Sequence, residues 1–216
     1  MQPMTVTVGP IATADANGIC ESQTPVAGPL TLDGVLVTGG VAVLDVQRRV
    51  LITAAGNESS RTFTVTGTNW AGNTISQTIT GPNATTAATT ISFKTVTSVT
   101  ISGNAAGAVE VGTNGVADSP WVRFDDFAPN YVSVACVIDG TANWTVQITL
   151  DDPNDPVTPV VAGSMVFQSA TDTNLVSQAV SNRGGIQYAP TFARVVLNSG
   201  TGSVRGTFLQ SSNGPI

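Results

Sequence analysis

Between Phe63 and Thr80 the chain reads FTVTGTNWAGNTISQTIT, with apolar side chains at alternating positions. Phe63 and Val65 alternate with Thr64 and Thr66, and Ile75 and Ile79 alternate with Ser76, Thr78 and Thr80. Side chains of a strand change face at each residue, so this spacing buries one face and wets the other. Asn69-Trp70-Ala71-Gly72-Asn73 lies between the two arms. Asn and Gly supply the positive φ that tight hairpins require. The pattern predicts a β-hairpin over this stretch.

The same short alternating runs recur along the chain. Strands are expected at Val41–Val46, Val50–Thr53, Thr90–Phe93, Val96–Ile101 and Val109–Val111. From about residue 117 aromatic residues become denser and a second series begins. There Tyr131–Ile138 is expected to pair with Asn143–Leu150 across Asp139-Gly140. Phe192–Leu197 is expected to pair with Val204–Leu209 across Asn198–Gly202. Gly and Pro, at 22 and 12 residues, interrupt the chain too often for long helices. Short strands at this spacing with turn signals between them indicate a sandwich or barrel.

The expected fold is all-β, made of antiparallel β-sandwich or jelly-roll-like modules. Two are expected in tandem, over 30–116 and 117–216, with one larger sandwich as the alternative. Residues 1–29 carry little apolar content and are expected to form an extended N-terminal arm that packs on its own domain, a neighbouring subunit or another protein.

Only 10% of the 216 residues are charged, far below the roughly 25% usual in soluble domains. Thr, Ser, Asn and Gly stand in their place. Such a surface is polar yet costs little to desolvate against another protein. The net charge is −6, with a single lysine, Lys94. Nucleic-acid binding needs a basic patch to neutralise phosphates, and none is present. No apolar run approaches the roughly 20 residues of a membrane-spanning helix. The opening Met1-Gln2-Pro3-Met4 has neither the basic nor the apolar region of a signal peptide. Cys20 and Cys136 are expected to be buried free thiols of a protein made in a reducing cytoplasm.

The sequence contains no histidine. That removes the commonest general base and every Ser-His-Asp or Cys-His arrangement. Asp125-Asp126 and Asp151-Asp152 are the only adjacent carboxylate pairs. Neighbours in a strand face opposite ways, so adjacency does not build a catalytic dyad. Asp151 to Asp155 has oxygen ligands suited to calcium but lacks the Gly and distal Glu of the EF-hand loop. It reads as a solvated turn. Gly39-Gly40 has no following helix and no lysine, so a phosphate loop is not indicated. No catalytic residue, metal site or cofactor is assigned.

The candidate residues belong instead to an interface with protein. Trp70, with Asn69 and Asn73, places a large apolar ring at the hairpin tip. Thr64, Thr66 and Thr78 line an uncharged outer face, and Arg48 and Arg49 lie between strands. Trp70 beside Asn69 and Asn73, or Trp144 beside Asn143, would also suit a carbohydrate platform.

Three stretches carry a family resemblance. The run from Gly28 to Ala84, GPLTLDGVLVTGGVAVLDVQRRVLITAAGNESSRTFTVTGTNWAGNTISQTITGPNA, is followed by TVTSVTISGNAAGAVEVGTNG (95–115) and SPWV (119–122). They resemble virion structural proteins of tailed, short-tailed bacteriophages, encoded near the capsid and head–tail genes. The resemblance covers about residues 10–155 and contains no catalytic motif. It implies a non-enzymatic β-sandwich that decorates or cements the outer capsid lattice, with neck, tail or fibre as the alternative place. The implied partners are the major capsid protein or other virion proteins and further copies of the chain, as dimer or trimer, with no nucleic acid and no membrane. The implied location is the virion surface, after synthesis in the host cytoplasm.

Overall fold

The structure is a computed structural model; it describes residues 3–125, 131–153, 165–188 and 190–210. The first strands are β1 (Met4–Val8), β2 (Cys20–Gln23), β3 (Gly28–Pro29), β4 (Val37–Thr38) and β5 (Val41–Ala54). There follow β6 (Thr62–Thr68), β7 (Thr74–Thr80), β8 (Thr86–Ile101), β9 (Val109–Asp118) and β10 (Val122–Arg123). The rest are β11 (Val132–Asp139), β12 (Asn143–Thr149), β13 (Phe167–Ser169), β14 (Asn182–Ile186), β15 (Phe192–Ser199) and β16 (Ser203–Gln210). The one helical turn among the described residues is a 3-10 turn at Thr173–Leu175. The fold is all-β and every strand pairing described is antiparallel.

The described residues divide into two compact units. One comprises 13–115; the other comprises 3–12 and 116–210. In the first, β9, β5, β8, β6 and β7 follow one another in the sheet, while β2, β3 and β4 pair with β9, β8 and β5. β5 and β8 are 14 and 16 residues long, well beyond the usual five or six. The sequence pattern divides each into two shorter strands, because register slips interrupt the alternation. In β5 the ladder shifts between Val43 and Arg48 and again between Arg49 and Leu51. Bulges of this kind bend a strand without ending it. The core gathers Leu44, Val50, Ile52, Phe63, Val65, Phe93, Val96, Val99, Val109 and Val111, all buried.

Residues 3–12 and residues 13–29 fall in different units. β1 pairs along its whole length with β16, from Met4 opposite Phe208 to Val8 opposite Val204. Its Thr-Val alternation suits an edge strand, and Val8 is buried. Residues 13–29 belong to the other unit, where Ile19 donates its backbone N–H to Val111 (2.9 Å) and Cys20 is buried in the core.

In the second unit, one sheet has the order β1-β16-β11-β14. The facing sheet places β12 between β13 and β15, with β10 and the last residues of β9 also on β15. The two expected hairpins of this region are not hairpins. β11 and β12 lie in different sheets, as do β15 and β16. Each turn carries the chain across the sandwich, so both strands aim their apolar residues at one core. Val134, Cys136, Val204 and Phe208 face it from one side and Trp144, Val146, Val195 and Leu197 from the other. Glycine permits the crossings. Gly140 and Gly200 have φ of 78° and 100°, and a Cβ on Gly200 would overlap the Thr141 carbonyl. A Cβ on Gly206 would lie 2.5 Å from Val195 Cγ2, which sets how closely the sheets approach there.

Candidate protein-interaction face

The predicted hairpin is present. β6 and β7 pair in unbroken register, from Thr62 opposite Thr80 to Thr68 opposite Thr74. Phe63, Val65 and Ile75 are buried on the inner face. Thr64, Thr66 and Thr78 share the outer face, and their hydroxyls bond across the ladder. Thr64 Oγ1 lies 2.8 Å from Thr78 Oγ1, and Thr66 Oγ1 lies 3.3 Å from Ser76 Oγ. β8 extends the array from the other side, with Thr100 opposite Thr64, Ser98 opposite Thr66 and Thr95 opposite Thr68. Thr68 and Thr95 hydroxyls are 2.7 Å apart. The result is a three-stranded face of hydroxyl and methyl groups with no charge. Hydroxyls that bond one another give up less to water when another surface covers them.

The tip is held from within. Asn69 Oδ1 accepts from the backbone N–H of Ala71 (2.9 Å) and Asn73 (3.0 Å), an Asx turn that fixes the loop. Gly72, at φ 81°, faces open space. Trp70 is 37% exposed, so over a third of the residue's surface remains in solvent. Its backbone N–H donates to Gln47 Oε1 at 2.8 Å. The Lys94 ammonium sits 5.0 Å from its ring centroid, a cation–π contact. Lys94 also donates to the backbone carbonyls of Leu44 and Asp45, the latter at 3.0 Å. The sole lysine is thus held between the ring and two backbone carbonyls. Asn69 and Asn73 shape the tip and Trp70 is its presented group.

The arginines are placed differently from the sequence expectation. Arg48 is buried, so it is not offered to a partner. Its guanidinium donates to the Asn114 carbonyl (Nε, 3.2 Å) and pairs with Asp45 at 3.4 Å. The β5 bulge turns Gln47 and Arg48 inward together, a placement that period-two reading does not reveal. Arg49 is half-buried, and its Nε is buried without a hydrogen bond. Lys94 and Gln47 beneath the tip, and the β8 hydroxyls on the uncharged face, are the residues that sequence reasoning missed. Thr95, Ser98 and Thr100 stand opposite β6 across a register shift, and local alternation does not say which strand receives them.

The other singled-out residues are structural. Trp144 is buried and donates its indole N–H to the Val180 carbonyl at 3.1 Å. Trp121 lies beneath the Arg194 guanidinium, 4.4 Å from its ring centroid. Arg194 is itself buried and pairs with buried Asp118 at 2.6 Å. Asp151 Oδ2 accepts from Val166 N–H at 2.7 Å; Asn154 and Asp155, the rest of the calcium reading, lie outside the described residues, as does Asp126. Among the described residues no three His, Cys, Asp or Glu side chains gather as metal ligands. Cys20 and Cys136 are free and buried. Burial, with a smaller push from the Asp33 charge, raises the Cys20 thiol to about 12, and burial raises Cys136 to about 12.

No protein-family model matches the chain, and no curated protein sequence matches it.

Proposed function

We propose that this protein is a non-enzymatic structural component of a bacteriophage particle, a decoration or cement protein bound to the outer capsid lattice. The observation that carries the reading is the uncharged hydroxyl face of β6, β7 and β8, with Trp70 presented at its tip. Charged surfaces resist burial because ions must shed water. A face of mutually bonded hydroxyls and methyls resists it far less, and suits a permanent protein contact. Contacts of this kind, repeated over a lattice, hold by avidity even where each is weak. The resemblance of Gly28–Ala84 to phage virion proteins points the same way, with the major capsid protein as partner and the virion surface as location.

The test is incorporation into particles. Wild-type protein is expected in purified virions in hundreds of copies, and Trp70→Ala or Thr64→Lys is expected to reduce incorporation at least tenfold while the circular dichroism spectrum and melting temperature are kept. Copy numbers of tens or fewer would move the protein to neck, tail or fibre. Full incorporation of both variants would remove this face from the contact. Specific binding on a glycan array, lost in Trp70→Ala, would replace the reading with host-carbohydrate recognition.

A further inference from the structure

We infer that β7 is a self-pairing edge through which two copies of this chain join their sheets about a two-fold axis at Gln77. Strand β7 ends its sheet, and β6 is its only strand partner among the described residues. Which of its backbone groups face outward follows from the flanking bonds. Asn69 N–H donates to Asn73 O (3.0 Å) and Gly81 N–H donates to Arg61 O (2.9 Å). In an antiparallel ladder, bonded and non-bonded pairs alternate. The bonded pairs between those two are therefore Gly67 with Ile75, Val65 with Gln77 and Phe63 with Ile79. Thr74, Ser76, Thr78 and Thr80 then turn their N–H and C=O groups away from β6. On the opposite side of β6 the same phase appears, for Ser102 N–H donates to Thr62 O at 3.0 Å.

Unpaired edges of this kind are usually blunted with lysine, proline or a bulge. β7 has none of these: it reads TISQTIT, uncharged, in regular register. Its sequence is also nearly symmetric about its centre. An antiparallel copy centred on Gln77 sets Ile75 opposite Ile79, Ser76 opposite Thr78 and Thr74 opposite Thr80. That register makes the outward residues the bonded pairs, which is the geometry that N–H and C=O groups turned away from β6 require. Isoleucines then meet on the inner face and hydroxyls on the outer one. β-branched and Thr–Ser cross-strand pairs are favourable, and a two-fold interface must be self-complementary. A strand with an arbitrary sequence does not meet this condition. Gln77 is already fixed within its own unit, where its Oε1 accepts from Thr90 N–H (2.8 Å) and Ile91 N–H (3.2 Å). It leaves the axis free of an unanchored polar side chain. The second copy is the occupant proposed because its own β7 matches the edge residue for residue.

The inference does not depend on the protein's place in a particle, and its test uses none. Purified full-length protein is expected to sediment as a dimer at micromolar concentration. Amide exchange at Thr74, Ser76, Thr78 and Thr80 is expected to slow at least tenfold between dilute monomer and concentrated dimer. Thr78→Pro removes one outward N–H without breaking a bond to β6, and is expected to give a monomer that keeps its β-sheet spectrum. The pair Ser76→Lys and Thr78→Lys sets like charges opposite each other and is expected to do the same while leaving the backbone intact. A wild-type monomer at the highest soluble concentration would overturn the inference. So would a dimer that both variants retain, or one in which these four amides exchange no more slowly than in the monomer.

Discussion

The hairpin at 62–80 and the turn at 139–142 look alike in sequence and do opposite things. Both join two strands of alternating character through a short segment containing Asn or Asp and Gly. The first stays within one sheet, where Phe63 meets Ile79 as a neighbour and Thr64 meets Thr78 in a hydroxyl bond. The second passes between sheets, so β11 and β12 share a core without sharing a ladder. The difference lies in what each face offers. The hairpin has matched polar partners on its outer face. The outer face of β11 carries Ser133, Ala135 and Val137, while most of β12 is buried, including Thr145 and Thr149. A strand with little polar surface gains more from the interior of a sandwich than from an edge. Period-two alternation reports the first choice, buried or wet. It says nothing of the second, hairpin or crossing.

The largest expected effect tests what the crossing strands require. Arg194 on β15 is buried with its charge paired to Asp118 and its plane against Trp121 and Phe167. Arg194→Met removes the charge that faces the buried Asp118 carboxylate, and removing one member of a buried pair costs about 3–5 kcal/mol. Urea unfolding is expected to show that loss, and the double change Arg194→Met with Asp118→Asn to recover most of it. A loss below about 1 kcal/mol would mean that the pair is solvated.

Next in size is a glycine pair, Gly72 from the hairpin tip and Gly200 from the other crossing turn, between β15 and β16. Gly200 combines φ of 100° with a Cβ site overlapping the Thr141 carbonyl, whereas Gly72 has φ of 81° and open space around it. Gly72→Ala bears only the left-handed conformation, about 1 kcal/mol. Gly200→Ala adds a backbone clash and is expected to cost about 2–4 kcal/mol. Equal losses would show that the crossing turn has room to relax.

Much of the fold was legible from Phe63, Val65, Ile75 and Ile79, because burial of one face depends only on local alternation. The hairpin and the all-β class follow from it. The sandwich crossings were not legible, since the choice of ladder partner is a long-range matter. The bulge that buries Gln47 and Arg48 hid for the same reason: a slipped register changes which face a residue takes without changing the residues. At the candidate face, Trp70 and the threonines of β6 and β7 were visible as a local pattern. Lys94, which closes over the tryptophan, comes from a strand more than twenty residues away and carries no signal of its own.

The smallest effect separates the two units by a probe already built into each. Cys20 lies in the unit of residues 13–115 and Cys136 in the other. Both thiols are raised by burial from the ordinary 9.0 to about 12. A thiol whose folded value is raised keeps its proton when the unfolded chain has lost it. Its contribution is therefore whole below pH 9 and is lost as pH rises from 9 towards 12. By pH 10, one unit above the unfolded value, each thiol is expected to cost about 1 kcal/mol. Cys20→Ala and Cys136→Ala are each expected to flatten the fall of the urea midpoint between pH 8 and pH 10 by that amount. Unfolding of each unit, followed by a thiol reagent acting on the remaining cysteine, assigns the loss to its own unit. If neither variant changed the slope, the thiols would be reached by solvent in the folded chain, and the cores that bury them would be looser than their packing implies.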